Sequence, residues 1–159
     1  MIAKKQKLTT AMMDSISNVL ETMFFLPMDF ISPESITKLW HKSSSQIQTV
    51  KISFSGPFSG FLMLLIPVGL AENITADFMG LDQTEVTKDH VNGTTKEIAN
   101  MILGNIFSKY DDQAVFNLEV PEIIPDAKNI SPAPENENEL VFCVDTLDDH
   151  LVIKMIIDS

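Results

Sequence analysis

A single cysteine, Cys143, excludes any intrachain disulfide framework. Its place between Phe142 and Val144, in a strand-like run, reads as a buried thiol rather than a nucleophile. Long apolar runs are also missing. The longest, Phe61 to Leu70, is too short to span a bilayer and contains Pro67. Asp14 and Glu21 interrupt any secretory apolar core near the N-terminus, so a cytoplasmic protein is expected. Basic residues form no stripe beyond Lys4, Lys5 and Lys7, and the formal charge is −11. Phosphate-backbone binding needs clustered Lys and Arg, so nucleic acid is not an expected partner. His41, His90 and His150 are scattered, with no ligand spacing such as H-E-x-x-H, and no metal site is expected. G-x-S-x-G, a Walker loop and G-x-G-x-x-G are all absent from the sequence. Ser55-Gly56 and Ser59-Gly60 read as turn residues, not as phosphate cradles.

What is present fits one globular domain over residues 1–159, with 45% hydrophobic and 21% charged residues. Acids crowd the last third, among them Asp111, Asp112, Glu119, Glu122, Glu135 and Glu137. A partner with exposed Lys or Arg would be steered there.

Periodicity supplies the elements. Thr9 to Leu26 reads as a helix with Met12, Ile16, Val19, Leu20 and Met23 on its apolar face, stopped by Pro27. Met28 to Gln46 has no steady period and reads as loop, with Trp40 pinning it to the core. Val50, Ile52 and Phe54 alternate with Lys51 and Ser53 as a strand, Ser55-Gly56-Pro57 turns, and Gly60 to Pro67 returns as a buried strand. Leu70 to Phe78 is a short helix closed by Gly80. Asp82 and Glu85 form a capping box expected to open the next helix, with Asn92-Gly93 a possible break inside it. Ala114 to Ile124 alternates as one strand, and Asp126 to Asn138, with Pro132 and Pro134, is an irregular loop. Leu140 to Val144 and Leu151 to Ile157 form a closing hairpin around Asp148-Asp149-His150. The expected class is α+β, in the order α-β-β-α-α-β-β-β, with helices packed on an antiparallel sheet.

The stretch Thr94 to Phe107 has the clearest helical period. Ile98, Ile102 and Ile106 recur every four residues, with Thr95, Ala99, Leu103 and Tyr110 beside them. Gly93, Glu97, Asn100 and Gly104 fall on roughly the opposite side. A polar outer face is most often plain solvation. Asn is a mediocre helix former, however, and Gly in a helix interior costs about 1 kcal/mol relative to Ala. Such a face suits a carboxamide needed at one place and close approach at the next. Met101 and Phe107 flank the ridge and are candidates to pad a contact.

Glu97-x-x-Asn100, with Gly104 one turn on and Pro121 after the following strand, resembles the signature of the CheC/CheX/FliY chemotaxis phosphatases. That signature has Asp or Ser, three residues, Glu, two residues, Asn, and Pro about two dozen positions later. This chain has Gly93 at the first position, and Pro121 comes one residue early. The order of elements from Val50 onward is similar to the CheX branch. Ser17-x-x-x-Glu21-x-x-Phe24 overlays Gly93-x-x-x-Glu97-x-x-Asn100, a faint pseudo-repeat consistent with the two related halves of CheC-like proteins. On this alignment the first helix is a structural relic and the second carries the site.

The resemblance implies a substrate: a CheY-type response regulator phosphorylated on an aspartate. It implies that Asn100 orients the attacking water, Glu97 docks to the regulator's phosphate-contacting Lys, and Gly93, Met101 and Gly104 line the partner contact. Mg²⁺ is then expected on the regulator, and this chain needs no cofactor of its own. CheX-like relatives can pair through sheet edges, so a homodimer is also implied, with the closing hairpin as its expected edge. The competing class is a non-catalytic module that binds a response regulator, or a flagellar-switch or receptor-modifying partner, without hydrolysis.

Overall fold

The computed structural model describes residues 2–35, 46–125, 131–147 and 149–158. Helix α1 (Ile2–Ser17) runs on as a π-helical stretch, Asn18–Met23, and so begins earlier than its apolar period suggests. Leu8, Met12, Ile16, Val19 and Leu20 are fully buried along it. Met23 is not on that face: the π stretch turns it outward and buries Phe24 instead.

Strand β1 (Met28–Ile31) was not legible as an element. It pairs antiparallel with β6 (Glu139–Thr146), with Phe30 facing Val144. Strands β2 (Ile47–Ser55) and β3 (Gly60–Pro67) form the expected hairpin. Val50, Ile52 and Phe54 point to the helix side and are buried there. Gly60 is required by packing, because a Cβ there would lie 2.1 Å from the Ile156 carbonyl oxygen of β7 (His150–Ile157). Helix α2 (Val68–Met79) closes on Gly80 in the left-handed conformation, φ 67°.

The Asp82–Glu85 pair caps a separate 3₁₀ turn, Gln83–Glu85, and not the long helix. Helix α3 (Lys88–Tyr110) opens instead at Thr87, whose Oγ1 accepts from His90 N (3.2 Å) while Thr87 N donates to His90 Nδ1 (3.1 Å). It is continuous through Asn92-Gly93. Its buried side holds Ile98, Ala99, Ile102, Leu103 and Ile106, and each of the larger ones contributes roughly 1.5–3 kcal/mol. Thr94 and Thr95 are buried beside them, and Gln48 Nε2 donates to Thr95 Oγ1 (2.6 Å).

The expected strand from Ala114 to Ile124 is two short ones, β4 (Asn117–Leu118) and β5 (Glu122–Ile124), both on the outer edge of β2. Pro121 lies between them, where the ladder loses a donor. The seven strands among the described residues are antiparallel, in the order β1-β6-β7-β3-β2-β4, with β5 also paired to β2 on the side that β4 occupies. The closing hairpin β6–β7 therefore lies within the strand order, with β1 covering only Cys143–Thr146 of β6 and leaving Glu139–Phe142 without a strand partner on that side among the described residues. Among the described residues the outermost strands are β1 on one side and β4–β5 on the other. Trp40, His41 and Asp148 lie outside the described residues.

Helix α3 packs on α1, α2 and strands β2 and β3. Lys7 Nζ sits over the Tyr110 ring (5.0 Å) and Lys4 Nζ over Phe58 (4.2 Å), so the start of α1 lies beside the end of α3. The other sheet face buries Met63, Leu65, Cys143 and Val152. Burial there pushes the Cys143 thiol up to about 11, as expected of a structural cysteine.

Candidate functional site: the outer ridge of α3

Because α3 turns its isoleucines to the sheet, Gly93, Glu97, Asn100 and Gly104 face away from the core, and all four are exposed. Glu97 and Asn100 lie three residues apart, neighbours on one helix face. Among the described residues neither side chain has a hydrogen-bonding or ionic partner. A surface salt bridge to Lys96 or Lys109 is thus not what holds Glu97. Asn105 behaves differently, since its Nδ2 donates to the Met101 carbonyl (3.1 Å) and spends the amide within the helix. Among the described residues Asn100 leaves both its donor and its acceptor unused.

The two ridge glycines answer no internal need. A Cβ at Gly93 or Gly104 would meet nothing within 4 Å. Alanine would strengthen the helix at either position. Met101 is half-buried beside the ridge. Phe107, expected beside it, is instead core: it is 5% exposed and stacks on Phe116 with centroids 3.9 Å apart. The chain returning toward β4 covers it, which no helical period within α3 could foretell.

The overlaid trio on α1 is built otherwise. Ser17 Oγ donates to Glu21 Oε1, and Phe24 is buried against Phe78 with centroids 4.8 Å apart. The third position of this trio presents no amide.

Other chemistry is already committed within the fold. His90 caps α3, and His150 lies 3.0 Å from Asp145 and 3.8 Å from Asp149 at the closing hairpin. On the sheet face away from the helices, a cavity of about 330 Å³ contains Lys154 and Glu139, which pair with each other at 3.1 Å. Glu139 also accepts backbone N–H groups from Glu135 and Asn136. A second cavity, of about 220 Å³, adjoins Gly104 and Ser108 at the end of α3. Its acids, Asp111 and Asp112, were legible only as part of the crowded C-terminal third. Among the described residues no cluster of three or more His, Cys, Asp or Glu could hold a metal ion, and no helix is long and apolar enough to cross a membrane.

An antiparallel sheet backed by paired helices is the architecture of the CheX, CheC-like and FliY structures. The chain belongs to the family described as chemotaxis phosphatase CheX, which matches residues 48–145. No curated protein matches it by sequence. Solved structures share its fold. A chain of the CheX–CheY–BeF3–Mg²⁺ complex of Borrelia burgdorferi is 18% identical, with TM-score 0.70 over 94% of this chain and 97% of that one. Chemotaxis protein CheX of Vibrio vulnificus is 16% identical, with TM-score 0.69 over 95% and 96%. FliY of Thermotoga maritima is 15% identical, with TM-score 0.59 over 98% and 91%.

Proposed function

We propose that this chain speeds hydrolysis of the aspartyl phosphate on a CheY-type response regulator, with Asn100 orienting the water and Glu97 docking to the regulator. The observation that carries the reading is the pair itself: a carboxylate and a carboxamide, exposed on one ridge and without partners among the described residues. In the reaction a water oxygen forms a bond to phosphorus as the bond from phosphorus to the aspartyl oxygen breaks. The regulator recovers a carboxylate and inorganic phosphate leaves. Such a transition state is loose, so positioning and electrostatics do most of the work. The Asn100 carboxamide can accept from the water through its oxygen and donate to it through its nitrogen, which fixes the line of attack. Glu97 would pair with a lysine at the regulator's phosphate, and Gly93, Met101 and Gly104 would give the partner room. Mg²⁺ belongs to the regulator on this reading, which asks for no cofactor on this chain.

Asn100→Ala should leave the fold intact and remove about 10²-fold of the acceleration of phosphate release, a modest share of what orientation can supply. Phosphate lifetimes across a panel of CheY-type regulators measure it, and wild-type acceleration by the variant would overturn the assignment. Gly93 favours keeping the binding-module reading in view, because no side-chain oxygen stands one turn before Glu97. Regulator binding with an unchanged phosphate lifetime would decide for the module.

A further inference from the structure

Beyond Asn100 the ridge leads into a groove. Gly104 and Ser108 continue its line, about 6 and 12 Å along the axis from Asn100 at the rise of an α-helix. They line the 220 Å³ cavity together with Asp111 and Asp112 at its rim and Phe116 as its floor, backed by the largely buried Phe107. The floor is preformed. The two rings stack at 3.9 Å and 4°, and Phe54 and Phe58 pack against Phe107 at 4.7 and 6.1 Å. The rim is out of place for the helix alone. Asp111 and Asp112 stand at the C-terminal, negative end of α3, where a carboxylate adds to the helix dipole instead of offsetting it.

Neither carboxylate has an ionic partner among the described residues. Their hydrogen bonds come from the neighbouring Gln113, N to Asp111 Oδ1 (3.0 Å) and Nε2 to Asp112 Oδ1 (3.4 Å). The nearby cation Lys7 is over the Tyr110 ring. Val115 and Val120, 74% and 80% exposed, flank the adjacent strand β4. Gly104 leaves the mouth open, with nothing within 4 Å of where its Cβ would be.

An aromatic floor of Phe116, backed by the buried Phe107, under an unneutralised acidic rim suits a lysine or arginine side chain. The stem or guanidinium lies against Phe116, and the charge meets the carboxylates. We infer that this groove is a second docking point for the phosphorylated regulator, taking a lysine or arginine side chain from the surface around its phosphorylated pocket. The inference rests on the proposed function, because the groove continues the Glu97–Asn100 ridge. It adds the specificity that one carboxamide cannot supply: regulators with a basic residue at the matching position should be preferred.

The test measures affinity for CheY-type regulators loaded with beryllofluoride and Mg²⁺, beginning with that of Borrelia burgdorferi. Asp111→Lys with Asp112→Lys should weaken binding about tenfold and flatten its salt dependence. Asp29→Lys with Glu34→Lys, at the opposite edge of the sheet, makes the same change in net charge and should shift affinity less than about twofold. Ser108→Trp, at an exposed helix position, should fill the groove and weaken binding without altering charge. Wild-type affinity in both groove variants would overturn the inference, as would an equal loss in the Asp29/Glu34 control, which would mean long-range steering alone. Affinity is read independently of phosphate release, so a failed Asn100→Ala experiment strikes the catalytic assignment and leaves the groove result standing. Absence of binding by the wild type to every regulator would overturn both.

Discussion

Ser17, Glu21 and Phe24 on α1 occupy the positions that Gly93, Glu97 and Asn100 occupy on α3, and the two trios end in opposite surroundings. Both glutamates are exposed. Glu21 is held by the Ser17 hydroxyl, whereas Glu97 faces a bare glycine and has no partner among the described residues. The third positions differ most: the π-helical stretch turns Phe24 into the core against Phe78, while regular α-helix leaves Asn100 in solvent. One trio is spent on packing. The other has its polar atoms free, and the same spacing therefore does not make the same site.

Grafting the amide onto the first copy should have the largest effect. Phe24→Asn removes a buried ring and should cost about 3–5 kcal/mol, read by denaturant unfolding, with no gain in phosphate release. Improved release would mean that α1 is a dormant site and not a packing element. Next comes Asn100→Ala, at about 10²-fold in release, set against Glu21→Ala, which should leave release unchanged. Equal losses in the two variants would erase the distinction drawn between the helices.

Gly104→Ala is expected to raise stability by up to about 1 kcal/mol, since its Cβ would stand in open space. The same variant should bind the regulator more weakly, so stability and docking move in opposite directions. The smallest effect is expected from Gly93→Ser, which gives Glu97 the hydroxyl that Ser17 gives Glu21. A hydrogen bond at an exposed site is worth about 1 kcal/mol or less, and release should change less than about threefold. A rise of tenfold or more would show that the missing oxygen limits the second copy.

Much of the site could be read locally. Ile98, Ile102 and Ile106 at helical spacing require that Glu97 and Asn100 point outward, whatever covers the isoleucines. Val50, Ile52 and Phe54 likewise assign the buried face of β2. Local period could not reach features made by distant chain. β1 is four residues between Pro27 and Pro33, and it is a strand only because Met28 meets Thr146. Phe107 sits on the ridge flank by period, yet Phe116 covers it. Asp82–Glu85 and Thr87–His90 are both sound caps, and only the packed helix selects the second as the start of α3.

By itself the sequence determined the hydrophobic periods, and with them which side of each long element faces water. Burying apolar surface obliges a helix or strand to turn that side inward in any fold. The tertiary structure decided the strand order, with the closing hairpin inside the sheet, and the covering of Phe107. It also decided the pairing of an acidic rim with an aromatic floor at the end of α3. Those features depend on contacts between segments far apart in the chain, and no local pattern records which segments will meet.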